Sequence, residues 1–417
     1  MKSAGRPSFA ALHHAGFRFF FIGTAVTMLA DNIEHVISYW AMYQKFHSEA
    51  LGGFAVVSHW LPFLLFSIYA GALAERFDPR RIIQLGMLLF MGVSVCWGVL
   101  FLTDSLQVWH CWALLITHGI AGVLWNPPAQ LLLHDIVGPT DLSSAVRLTA
   151  TARQLGMLTG PAVGSVMLIA LGPAYGIFAN ALIYLPMFVW LWKAPYGPRF
   201  RPGAPRPVRA LKGFADIVET FGRIRTNPIL LCMTLLAGAA AFFIGNSYQA
   251  QMPEFAQALG HGNPGLTYGM LLGADAAGAL IGGLVLESRG LLRPHPRTAI
   301  ILAMLWCGAL GGFALCRSYP LALPLLFVAG FVELSFNSMA QALVQINAPV
   351  EIRGRAIGVF AMAAQGMRTF SGISVGLVGG LLGIHWSLAL AAVVLFISIS
   401  ALLLRTSAVA PAEQEPW

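Results

Sequence analysis

Apolar runs of about 20 residues follow one another along most of the chain, separated by short polar breaks. Window hydropathy places them near 17–43, 51–74, 82–102, 107–131, 144–170, 174–193, 228–252, 264–286, 298–316, 320–346, 356–382 and 385–405. A helix needs about 20 apolar residues to cross a bilayer. The runs are continuous, without the period-2 alternation of a barrel strand, so helices are expected. Breakers mark the short connectors: Asp78-Pro79, Gly138-Pro139, Gly172-Pro173 and Asn263-Pro264. One longer segment, 194–227, carries Pro195, Pro198, Pro202, Pro205 and Pro207. It divides the chain into 1–193 and 228–417, with six spans each.

Composition agrees with that pattern. Of 417 residues, 57 % are hydrophobic and only 10 % charged. Soluble domains carry roughly 25 % charged residues, so most of this surface faces lipid. Of the 25 Lys and Arg residues, Lys45 and Arg317 fall in connectors on one side, and Arg153 and Arg368 fall inside spans. The others sit in the tails, or at connectors that follow even-numbered spans. This bias puts both termini and the 194–227 linker in the cytoplasm. It also accounts for the net charge of +8 by retention against anionic lipid, with no nucleic-acid partner expected.

The cysteines (Cys96, Cys111, Cys232, Cys307, Cys316) lie in or beside apolar runs without metal-ligand spacing. No HExxH pair, Gly-x-Ser-x-Gly elbow or Cys-x-x-Cys is present, and none of the four lysines sits in a phosphate loop. No enzyme, resident metal or cofactor is therefore expected, and any work must draw on a gradient.

The halves repeat weakly. Gly71-Ala-Leu-Ala-Glu75 matches Gly283-Leu-Val-Leu-Glu287 at an offset of 212, and Pro139 and Asp141 match Pro349 and Glu351 at 210. The loop after span two reads Gly71-Ala-Leu-Ala-Glu75-Arg76-Phe77-Asp78-Pro79-Arg80-Arg81. It resembles the signature loop of the major facilitator superfamily through Gly71, Leu73, Glu75, Arg76, Arg80 and Arg81. Asp78 and Pro79 depart from the pattern. Span five carries Gly156, Gly160, Pro161 and Gly164, similar to a Gly-x-x-x-Gly-Pro-x-x-Gly-Gly motif of the superfamily's exporter branches; Ser165 replaces the last Gly. The resemblance implies an all-α integral membrane fold, with twelve transmembrane helices in two pseudo-symmetric six-helix halves. It implies that Gly71 permits close helix approach, and that Glu75 meets the positive end of span eleven near Gly354 as a conformational latch.

Charges inside spans cost about 2.5–3.5 kcal/mol each on the insertion scale, so they must pair, protonate or line a wet cavity. They are Asp31 and Glu34 in span one, Arg153 in span five, Asp275 in span eight, Glu333 in span ten and Arg368 in span eleven. By resemblance, spans one, four, seven and ten line a central cavity. Those spans carry His35; His118, Trp125 and Asn126; Asn246 and Gln249; and Glu333, Asn337 and Gln341. His59 reads as a packed, neutral histidine. Proton coupling is expected among Asp31, Glu34, Arg153, Asp275 and Glu333, with Arg153 pairing to Asp31 or Glu34, and Arg368 to Glu333 or a substrate anion.

The resemblance implies secondary transport: proton-coupled export of a small amphipathic molecule of the drug or siderophore class, by a monomer in a bacterial-type inner membrane. The alternatives are an organic-anion or lysolipid transporter gripping its substrate with Arg153 and Arg368, and a membrane-bound receptor without transport.

Overall fold

Every regular element among the described residues is helical. The computed structural model describes residues 8–200, 214–245, 247–259, 264–288, 294–371 and 381–407. The first half comprises α1 (Ala15–Phe46), α2 (Glu49–Arg76), α3 (Pro79–Leu102), α4 (Val108–Val137), α5 (Leu142–Ile183) and α6 (Leu185–Lys193). The helix α7 (Phe214–Thr226) occupies the described end of the 194–227 segment. The second half comprises α8 (Pro228–Phe243), α9 (Ser247–Ala250), α10 (Met252–Ala258), α11 (Pro264–Ser288), α12 (Pro296–Leu315), α13 (Tyr319–Asn347), α14 (Arg353–Ala361), α15 (Arg368–Ser371) and α16 (Ile384–Ser407).

Nine stretches among the described residues are long and apolar enough to cross a membrane. One of them, 142–200, covers two passes, because α5 breaks at Gly172 (φ 74°) just before Pro173. Adding α1, whose middle carries Asp31 and Glu34, and the segment that begins at Arg353 brings the passes to twelve.

Two expected spans are not single helices. The seventh, expected over 228–252, ends at Phe243; Gly245 (φ 49°) turns the chain into the short α9. The eleventh, expected over 356–382, starts at Arg353 and passes through a π-turn at Met362–Gly366; residues 372–380 lie outside the described set.

Caps explain the tight connectors. Asp78 accepts from the backbone N–H of Arg80 at 3.0 Å, and Pro79 occupies the first helical position. Both departures from the family loop thus serve the start of α3. Asn227 and Pro228 start α8 the same way. At the opposite end of the bundle, Lys45 donates to Asp104 Oδ1 at 2.6 Å and holds that exposed carboxyl below its usual range.

The most extensive helix pairing in the first half is α5 on α1. A Cβ at Gly156 would meet Met28 Cβ at 2.6 Å, and one at Gly160 would strike Asn32 Cβ. The small residues let the two backbones touch, which fixes the rotation of α1 and hence the direction of its acids.

Candidate functional site

A cavity of about 190 Å3 lies between the halves. Of the residues expected there, it is lined by Trp125, Asn126, Arg153, Gln249, Asp275, Glu333, Asn337, Gln341 and Arg368. Glu333, Asn337 and Gln341 recur at steps of four and so share one face of α13. The turn at Gly245 brings Gln249 to the wall, and the π-turn contains Gln365 and precedes Arg368, which also line it. π-turns interrupt regular helices, frequently at functional sites. Asn246 lies outside the described residues.

Two acids of the cavity share one donor. Tyr248 Oη stands 3.2 Å from Asp275 Oδ2 and 3.1 Å from Glu333 Oε2. A phenol has one proton, so it donates to one carboxylate at a time. Gln249 Nε2 donates to Asp275 Oδ2 at 3.2 Å, and Asp275 Oδ1 is buried without a partner. Among the described residues, no Lys, Arg or His nitrogen lies within 4.0 Å of either carboxylate.

The two cavity guanidiniums face aromatic rings. Arg153 lies over Trp125 at 5.7 Å and Arg368 over Trp60 at 5.0 Å. When the Asn126 amide oxygen is turned toward Arg153, it accepts from Nη1 at 2.9 Å. Neither guanidinium makes the ion pair expected from sequence, and Arg368 Nε is buried without a partner. Arg153 cannot serve Asp31 and Glu34 because another group already holds them. His118 Nε2 lies 2.9 Å from Asp31 Oδ1, and His118 Nδ1 lies 2.8 Å from Glu34 Oε1. Ser94 donates its hydroxyl proton to the other Glu34 oxygen. Asp31, Glu34, His35 and His118 are not among the residues that line the cavity.

The linker end is tied across the halves. Glu75 Oε1 accepts the backbone N–H of Arg355 at 2.8 Å, and Oε2 accepts Arg355 Nε at 2.9 Å. Gly71 and Gly354 bring α2 and α14 so close that a Cβ on either would strike the other's carbonyl oxygen. Leu73 packs against the cluster of Ala74, Ile82, Leu131 and Ile357. The remaining loop bases act locally: Arg76 lies over Phe77, Arg80 binds Asp78 and the Ala194 carbonyl, and Arg81 donates to Gln84. A second tie runs the opposite way. Glu287, at the end of α11, meets Arg147 of α5 at 2.8 Å and accepts from Ser144.

A family model described as transmembrane secretion effector matches residues 6–416. The chain belongs to this family. The transporter is 24 % identical to the multidrug efflux pump Tap of Mycolicibacterium fortuitum over 392 residues, covering 91 % of this chain and 93 % of Tap. It is 23 % identical to the staphyloferrin A transporter of Staphylococcus aureus over 280 residues, 64 % of this chain and 66 % of that one. Its fold superposes on the human organic anion transporter MFSD10 with a TM-score of 0.73 at 15 % identity, covering 93 % and 98 % of the two chains. This secretion effector is therefore a multi-pass membrane transporter of the major facilitator superfamily, not an enzyme.

Sequence reasoning missed Tyr248, Arg147 and Arg355. The internal repeat held the signal for Arg147: Glu287 repeats Glu75, so its partner belongs at the start of the opposite half's fifth span. Tyr248 adjoins Gln249 but reads as apolar in a hydropathy window.

Proposed function

We propose that this transporter is a proton-coupled exporter of a small amphipathic molecule of the drug or siderophore class. It works as a monomer in a bacterial-type inner membrane, with both termini cytoplasmic. The halves 1–193 and 228–417 rock about the cavity, and 194–227 links them.

The observation that carries this reading is the pair Asp275 and Glu333, with one phenol between them and, among the described residues, no Lys, Arg or His nitrogen within 4.0 Å. Like charges that close, in a buried site, favour holding one proton between them. In the state open to the cytoplasm, an incoming substrate takes the place of that proton. In the opposite state a proton returns and releases the substrate. Trp125 supplies an apolar wall, and Trp60 backs Arg368 from outside the lining. The multidrug efflux and siderophore-transporting relatives support the substrate class. Asp31 and Glu34, held by His118 off the cavity, take no proton step in this scheme.

A second reading rests on a separate observation. Arg153 and Arg368 face the cavity without an ion-pair partner among the described residues. An organic anion, such as a carboxylate siderophore or a lysolipid, would supply the missing charge.

Proteoliposome flux against a panel of cationic and anionic amphiphiles, with and without an imposed pH gradient, tests both. Accumulation of no panel member in response to the gradient sinks proton coupling. Loss of anion flux alone in Arg153→Gln and Arg368→Gln proteins selects the second reading.

A further inference from the structure

Three imidazoles meet inside the first half, apart from the cavity. The ring centroids of His35 (α1) and His59 (α2) stand 5.0 Å apart, those of His35 and His118 (α4) 4.9 Å, and those of His59 and His118 5.7 Å. Each residue offers one ring nitrogen such that the three lie within 4.8 Å of one another. A neutral imidazole has one N–H and one lone pair to satisfy. Yet His35 Nε2 and His59 Nδ1 are shielded from solvent and have no hydrogen-bond partner. Ring packing alone leaves both nitrogens unsatisfied.

We propose that His35, His59 and His118 form a binding site for a divalent transition metal that prefers imidazole nitrogen, such as Zn2+ or Co2+. Nitrogen ligands disfavour Mg2+ and Ca2+, which take oxygen. A tetrahedral ion with bonds of about 2.0–2.1 Å asks for roughly 3.4 Å between ligand nitrogens. Small rotations of the three rings close the remaining gap.

The surroundings match those of a metal site. Asp31 and Glu34 each hold one nitrogen of His118, at 2.9 and 2.8 Å. Whichever nitrogen binds the ion, the other keeps its carboxylate, an outer-shell contact that fixes the ring and makes it a better donor. The freed carboxylate is then beside the ion. Asp31 Oδ2 already lies 3.8 Å from His35 Nδ1 and is the nearest candidate for a fourth ligand. Both His118 nitrogens face carboxylate oxygens, which only accept, so without an ion that ring carries two protons; a bound divalent cation displaces one of them and supplies the balancing charge instead. The site links α1, α2 and α4, so its occupancy braces the first half. It stands independently of the proton-coupled reading, because none of its ligands lines the cavity.

The test uses untagged, full-length protein in detergent, stripped with EDTA and returned to metal-free buffer. Zn2+ binding is followed by calorimetry and by mass spectrometry after desalting, and Co2+ binding by visible absorption. The expected result is one saturable equivalent of Zn2+ per chain and the intense visible bands of four-coordinate Co2+. His35→Gln and His59→Gln should each weaken binding at least about tenfold, with melting in EDTA near wild type. Absence of a saturable equivalent in the wild type, or a Co2+ spectrum like that of the hydrated ion, overturns the proposal whether or not the variants fold. Wild-type affinity in both variants also overturns it.

Discussion

Glu75 and Arg355 join the two halves through two contacts of one carboxylate, to a backbone N–H at 2.8 Å and to Nε at 2.9 Å. The first satisfies an open donor at the start of α14 and the second neutralises a fully buried guanidinium. Glu287 and Arg147 repeat the arrangement with the halves exchanged. Each half therefore closes on the other through an acid from its second span and a base from the other's fifth. Gln345 also reaches Gln130 across this end at 3.4 Å. Cycling requires all these ties to break.

Glu75→Gln should cut transport severalfold while insertion and yield stay near normal. Glutamine keeps an acceptor for the backbone N–H but removes the nearer of two acids at Arg355, leaving Glu219 Oε2 at 3.9 Å. A charge near a helix N-terminus is worth about 0.3–2 kcal/mol, enough to move an alternating equilibrium severalfold. Arg76→Ala should stay near wild type, because Arg76 lies over Phe77 of its own loop and, among the described residues, makes no ion pair across the halves. Counterflow in proteoliposomes measures both. Wild-type turnover in Glu75→Gln would show that the contact does not set the rate.

Gly156→Val should destabilise the fold, because its side chain would enter the space of Met28 Cβ and the Ala25 carbonyl on α1. Overpacking of this kind costs about 1–3 kcal/mol. Gly164→Ala should cost less, since the nearest atom to its Cβ is Ile33 Cα at 3.1 Å. Melting temperatures in detergent rank the two, and the reverse order contradicts α5 packing on α1 through this motif.

The helices and the repeat were legible in the sequence because each depends on local pattern, whereas the contact of Glu75 with the start of α14 followed from the resemblance of its loop to the family signature. Steps of four put Glu333, Asn337 and Gln341 on one face of α13, and the resemblance turned that face to the cavity they line. Sequence reasoning failed on depth. His118 lies seven residues before Trp125 and on the same face, but about 10 Å further along α4, beyond the cavity wall. Periodicity fixes a helix face without fixing how far along it the cavity reaches. The partner of Asp31 and Glu34 was equally hidden, because His118 arrives from 84 and 87 residues away. The π-turn at Met362–Gly366 left no mark in hydropathy; the break at Gly245 did leave turn residues, Gly245-Asn246-Ser247, inside an apolar run.

His118→Ala should lower stability strongly. It leaves Asp31 and Glu34 buried without their common partner, and removing one member of a buried ionic group costs about 3–5 kcal/mol. Adding Asp31→Asn and Glu34→Gln to His118→Ala should recover much of the loss. Melting curves of the single and triple variants decide this; no recovery would mean that packing, not charge, dominates at His118.

The charge asymmetry predicts both termini in the cytoplasm. Lys45, held by Asp104, and Arg317 are the only basic residues in connectors assigned to the outer side. A reporter fused after Trp417 should be active only if it is of a type that works in the cytoplasm. Activity from a periplasmic reporter there inverts the topology.

Proton coupling should depend on Asp275 and Glu333 together. Tyr248 stands between them and donates to one at a time, so the pair holds a single exchangeable proton most readily when one acid is ionised and the other is not. Asp275→Asn and Glu333→Gln each fix one member as permanently uncharged. The remaining acid is then free to stay ionised, and the pair loses the repulsion that made its proton easy to displace. Either variant should bind substrate and exchange it in counterflow, yet fail to accumulate it against a pH gradient. Proton release on substrate addition should fall to near zero in both. Tyr248→Phe removes the bridge but keeps both acids, so it should slow accumulation without abolishing it. Asp31→Asn should retain gradient-driven accumulation, because Asp31 faces His118 and not the cavity. If Asp275→Asn and Glu333→Gln accumulate substrate normally while Asp31→Asn does not, the proton travels through the first half instead.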